Sequence, residues 1–178
     1  IYAMWTVASM IPPADAVAPG IGALLEVQTQ GLANSLNARN RAVSNRSYEA
    51  LNLAETVLRQ IDAATFSANP VANAKGRALL RGHLLFVQGM IYGNLSRYYS
   101  TIVEHGTKAS LTPVQARAKA VALLAQSRTA YRDFNAQPAT PAVPFTASGL
   151  ITTGDDKLIN SAIGMFEFDA GNLAAAGP

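Results

Sequence analysis

Residues 69–101 read NPVANAKGRALLRGHLLFVQGMIYGNLSRYYST, and how this run is read decides the fold. Asn69 can cap free backbone amides, and Pro70 at the first helical position gives up no hydrogen bond, so the pair predicts a helix start. The helix is expected to continue to about Thr101. Inside it stand Gly76, Gly82, Gly89 and Gly93, each costing about 1 kcal/mol relative to Ala. Intrinsic propensity therefore does not hold this helix together, and close packing must. Gly82, Phe86, Gly89, Gly93 and Ser96 share one face, a strip of small residues on which a neighbouring helix can lie close. The spacing of Gly89 and Gly93 also matches membrane-helix dimer motifs. Arg81, His83, Gln88, Asn94 and Arg97 on the same helix argue against lipid around it, which leaves tight packing in a water-exposed bundle.

Working outward, Tyr48, Leu51, Ala54, Leu58 and Ile61 recur at three and four residues and predict an amphipathic helix from about Ser47 to Ala64, capped by Asn45. A polar linker with Arg39, Asn40 and Arg41 precedes it. Before that, Leu24, Leu25, Gln28, Leu32 and Leu36 mark a helix from about Gly22 to Asn37. Residues 1–21 are expected to be irregular. Their opening IYAMWTVASMI falls short of the roughly 20 apolar residues that cross a bilayer, stops at Pro12 and Pro13, and lacks a signal-peptide pattern. It reads as a core segment separated from upstream structure. In the other direction, Thr112 and Pro113 start a fourth helix, with Ala116, Ala120, Leu123, Leu124, Ser127, Tyr131 and Phe134 inward and an end near Asn135. Residues 136–154 carry Pro138, Pro141, Pro144, Gly149 and Gly154, a loop long enough to be a functional insertion. A fifth helix starts at Asp155 or Asp156 and runs to about Ala170. Gly171 and Asn172 break it, and Leu173–Ala176 read as the first turn of a sixth helix. No stretch alternates with the period of two that strands require. The expectation is an all-α fold, a single helical domain over residues 1–178 built from antiparallel helix hairpins.

Composition bounds the function. Of 178 residues 49% are hydrophobic and only 14% charged, against about 25% charged in ordinary domains. Such a surface suits a cell-envelope protein or one partly covered by a partner. The net charge of +3 is spread thinly along the chain, with no basic patch or reader motif, so nucleic-acid binding is not expected. Cysteine is absent, which removes disulfides and thiolate metal sites. The two histidines, His83 and His105, lack partners at catalytic or metal-ligand spacing. Nucleophile-elbow, HEXXH and phosphate-loop patterns are missing. Asp155 with Asp156, and Glu167 with Asp169, read as caps and solvated helix faces. No catalytic residue, cofactor or metal is expected. Tyr98 and Tyr99 end the third helix, while Tyr131 and Phe145 lie near the long loop. Such rings either stack on sugars and hold a partner chain, or close the ends of the core.

The run IGMFEFDAGNLAAA from Ile163 places Gly164 and Gly171 seven residues apart, followed by Leu173 and Ala176. It resembles the tetratricopeptide repeat, in which small residues let antiparallel helices touch and the glycine turns the chain. Glu167 departs from the pattern where an aromatic is usual. The order SYEALNLAETVLRQID, RALLRG, GMIYGNLSRYYSTIVEHG and LTPVQARAKAVALL, over roughly residues 45–176, resembles the helical half of SusD/RagB-type outer-membrane proteins, with Gly89, Tyr92, Leu95 and Tyr99 in matching places. That resemblance implies a tetratricopeptide-like right-handed helical array and a surface protein that caps a TonB-dependent transporter. Such a protein binds glycans or peptides without hydrolysing them. The family's lipid-bearing cysteine and its additional ligand-binding loops have no counterpart here. The competing expectation is an extrinsic structural subunit that clamps onto a larger membrane complex, such as a respiratory or photosynthetic assembly, with no transmembrane span of its own.

Overall fold

A computed structural model describes residues 38–145 and 156–172. The described part is mostly helical: α1 (Ala38–Gln60), α2 (Pro70–Tyr98), α3 (Pro113–Asn135) and α4 (Asp156–Asp169), with a two-stranded antiparallel hairpin, β1 (Ile102–Val103) and β2 (Ser110–Leu111), between α2 and α3. By its contacts the chain divides into residues 1–49 and 50–178. Of the first unit the described part is helical, the opening of α1.

Each long helix in the second unit starts where a polar side chain replaces the missing carbonyl partners of the first turn. The Asn69 side chain accepts from the amides of Val71 and Ala72 at 3.0 and 3.2 Å. At α3 the Thr112 hydroxyl accepts from the Gln115 amide while the Gln115 side chain accepts from the Thr112 amide, closing a capping box. Helix α2 ends at Tyr98, with Tyr99 as its cap.

The burial pattern explains why so glycine-rich a helix persists. From Lys75 to Ser96 no residue of α2 is exposed. A helix with no exposed residue along this stretch draws its stability from its neighbours more than from a narrow amphipathic stripe. Helices α2 and α3 share the largest interface and run antiparallel, and α4 packs on α3 and also touches α2. Leu51 of α1, Leu79 and Leu95 of α2, Leu124 and Tyr131 of α3, Ile159 and Phe166 of α4, and Ile102 of β1 are at most 1% exposed. Burying each such side chain is worth about 1.5–3 kcal/mol.

Two elements differ from expectation. Arg39, Asn40 and Arg41 lie within α1 and not in a linker, since nothing between Ala38 and Ser47 is Gly or Pro and the helix runs through. The chain after α2 forms the β1–β2 hairpin instead of a plain turn. Its strands have two residues each, too few for a period of two to show. Its turn holds Gly106 at φ +90° and Lys108 at φ +62°. The expected helix at 22–37, residues 1–21, and the start of a sixth helix including Ala176 lie outside the described residues.

Candidate functional site

Three constructions occupy the second unit, beginning with the small-residue strip. A methyl group placed on Gly82 would sit 3.0 Å from the Tyr131 ring, one on Gly89 2.8 Å from Leu124, and one on Gly93 2.1 Å from the tip of the Phe166 ring. Gly82 and Gly89 are seven residues apart, as are Leu124 and Tyr131, so each glycine receives the large side chain that faces it across an antiparallel pair. The Ser127 hydroxyl fixes this register by donating to the Gly82 carbonyl at 2.7 Å. Tyr131 is fully buried and its hydroxyl has no hydrogen-bond partner among the described residues. Burial pushes its phenol well above the usual range.

At the C-terminal part of α2 the hairpin is held by a polar cluster drawn from three helices. The Tyr92 hydroxyl of α2 accepts from the His105 amide at 3.0 Å. Nδ1 of His105 meets the carboxylate of Glu55 from α1. Lys119 of α3 pairs with Glu104 and lies 5.0 Å from the Tyr92 ring centroid. Thr107 also donates to Glu104, so the Glu104 carboxyl is held below its usual range, chiefly by the Lys119 hydrogen bond. The Tyr92 phenol is pushed up, chiefly by burial. Gly106 completes the cluster, because a side chain there would meet the Glu55 carboxylate at 2.9 Å. Nearby, Arg97 of α2 pairs with Asp169 and lies over the Phe166 ring, while Arg117 of α3 donates to the Asp169 carbonyl. Two cations thus hold the C-terminal end of α4, where the helix dipole favours positive charge.

At the opposite end of α2 the chain after α3 lies across the first turns of that helix. Lys75 is 6% exposed. Its ammonium donates to the carbonyls of Pro138, Ala139 and Pro141 at 3.0, 2.9 and 2.8 Å, and lies 6.0 Å from the Phe134 ring centroid. All three of its hydrogens are thereby used. Pro144 and Phe145 pack on Gly76, and Phe145 meets Phe66 edge-on with centroids 5.7 Å apart. Phe66 is itself fixed, its amide donating to Asn73 at 2.7 Å.

The aromatic residues singled out as contact candidates do not converge. Tyr98 and Tyr99 are half-buried at the end of α2, whereas Phe145 packs on Gly76, 22 residues earlier on the helix, a separation of roughly 33 Å. Tyr131 is a core ring and cannot meet an outside ligand while α2 and α3 stay paired. Gly164 is half-buried in α4, and Gly171 turns the chain after α4 at φ +80° with none of the described residues within 4 Å of a side chain there. Sequence reasoning missed Lys75, although a signal exists: Ala72, Lys75, Leu79 and Gly82 follow the three-and-four spacing of an inward stripe, so the lysine occupies a core position. Glu55, Tyr92, Glu104 and Lys119 share no spacing that could have grouped them.

Among the described residues no group of His, Asp and Glu is placed to hold a metal ion, and no helix is long and apolar enough to cross a membrane. No family model, curated protein or solved structure matches the chain.

Proposed function

We propose that this chain is a non-catalytic helical protein of the cell envelope that works through contact surfaces, in the manner of the SusD/RagB-type nutrient-binding partners of TonB-dependent transporters. The observation that carries the reading is how the polar side chains are used: Lys75, Glu55, His105, Lys119, Arg97 and Arg117 are engaged in ties that hold elements together. The order of α2, α3 and α4, up, down and up with α4 touching both others, supports a tetratricopeptide-like array. The resemblance over residues 45–176 supplies the envelope setting and the expected glycan or peptide ligand.

A second reading, an extrinsic subunit scaffolding a larger membrane complex, is favoured by exposed apolar side chains on a charge-poor surface. Leu53, Val114 and Phe168 are 66, 70 and 64% exposed, and such residues suit a permanent partner. Affinity purification of the tagged chain from native membranes separates the two. Recovery with a transporter, and with oligosaccharide or peptide binding, supports the first reading. A stoichiometric set of other integral subunits supports the second. Recovery as a lone protein that turns over a substrate would refute both.

A further inference from the structure

The last turn of α2, the first turns of α3 and the last turn of α4 meet at one end of the second unit, tied by Arg97 and Arg117 to Asp169. The β1–β2 hairpin joins them there, tied by Glu104 to Lys119. Among the described residues five large apolar side chains are exposed, and three of them stand at this end: Val103 in β1, Val114 in the first turn of α3 and Phe168 in the last turn of α4. They are separate tips on three elements. Such tips sink independently into the fluid interface of a bilayer, which moulds itself to them. The charges at this end fit the same partner. Lys108 is exposed in the hairpin turn, and it is the one Lys or Arg within residues 50–178 that has no hydrogen-bond or ion-pair partner among the described residues. The turn presents it in a fixed conformation. Glu104 donates its amide to the Ala109 carbonyl at 2.7 Å, the Glu104 carbonyl accepts from the Lys108 amide at 3.0 Å, and Lys108 stands at φ +62°. The carboxylates around it are matched: Glu104 faces Lys119, Asp169 faces Arg97, and Glu55 faces His105 and Arg59. Glu167, which takes the Asn172 side-chain amide, is the exception. A free ammonium beside matched carboxylates attracts an anionic surface.

We propose that this end of the unit is a peripheral membrane-docking surface, where Val103, Val114 and Phe168 enter the interface of a bilayer while the Lys108 ammonium meets the phosphate of an anionic lipid. No helix among the described residues is long and apolar enough to cross a membrane, and a contact of this kind holds a chain at the bilayer from outside. Insertions this small are weak and reversible by themselves, and the anionic lipid adds the second attraction. The inference rests on the envelope setting proposed above and supplies the lipid contact that setting leaves open.

The full chain has no cysteine, so Val114→Cys carries a single environment-sensitive fluorophore on an otherwise unchanged protein. With vesicles of phosphatidylcholine containing about one-third phosphatidylglycerol, the label should brighten saturably with added lipid. The same label at Leu53→Cys, exposed on α1, should not respond. Phe168→Ser should weaken the partition at least about fivefold. Lys108→Gln should weaken it about fivefold on these vesicles and far less on phosphatidylcholine alone. All four positions are exposed, so the substitutions leave the packed core intact. No saturable response at Val114→Cys, an equal response at Leu53→Cys, or a partition unmoved by Phe168→Ser or Lys108→Gln overturns the proposal. The vesicles hold no transporter or other subunit, so that result refutes the lipid contact and leaves the envelope reading to the affinity purification.

Discussion

Replacing Gly93 with alanine puts two effects of opposite sign in competition. In the interior of an exposed helix the change would stabilise by about 1 kcal/mol. Here the new methyl carbon would stand 2.1, 2.3 and 2.4 Å from three atoms of the Phe166 ring, far inside the 3.5–4.0 Å at which carbon atoms attract. Phe166 is fully buried, so the ring has no room to retreat by more than an ångström and must leave its site. Losing a buried phenylalanine costs about 3–5 kcal/mol. Subtracting the propensity gain leaves Gly93→Ala destabilised by about 2–4 kcal/mol. Urea unfolding followed by circular dichroism measures this as a lower midpoint at unchanged slope. Once Phe166→Ala has removed the ring, adding Gly93→Ala should cost nothing further, a coupling that a double-mutant cycle detects. A Gly93→Ala protein as stable as its parent would refute the reasoning, because it would mean that Phe166 does not rest on that glycine.

Gly171→Ala, made at φ +80° in open space, should cost only about 1–2 kcal/mol, from backbone conformation alone, and Gly171→Asn less than that, both read from the same urea titration. Burial lowers the His83 pKa, so the unfolded chain takes up the proton first. Stability is then complete above about pH 6.5 and declines as pH falls through the folded-state pKa. In His83→Leu the stability profile between about pH 7 and 5 should be flatter than in the parent. The Glu104 carboxyl, held down by Lys119 and Thr107, contributes stability above its unfolded pKa that is lost as pH falls through the lower folded value. Lys119→Met should therefore make the acid limb below about pH 4.5 shallower.

The helical character of the chain could be read from local chemistry. Asn69–Pro70 and Thr112–Pro113 announce helix starts because capping is settled by two or three adjacent residues. Gly82, Gly89 and Gly93 announce close packing because nothing else explains glycine in a helix interior. What the sequence could not give is which side chain fills each gap: Phe166 stands 73 residues beyond Gly93, and only the folded chain brings them together. The hairpin was hidden for a different reason, the turn between its two-residue strands being pinned at Glu104 and His105 by Glu55, Tyr92 and Lys119 from three separate helices. Tyr131 was legible as an inward residue of α3 and equally as a contact candidate. Its position over Gly82 makes it a core ring.

The burial of α2 against its neighbours has a consequence for synthesis. About 70 residues separate Ser96, the end of its covered stretch, from Phe166 in α4. At translation rates of about 5–20 residues per second, that interval lasts roughly 4–14 s. During that time the surface of α2 around Gly93, which Phe166 later covers, stays open on the nascent chain, so a chaperone with affinity for such surfaces should find its binding window there. Ribosome-bound chains halted just after α3 should be captured far more readily than chains halted beyond α4.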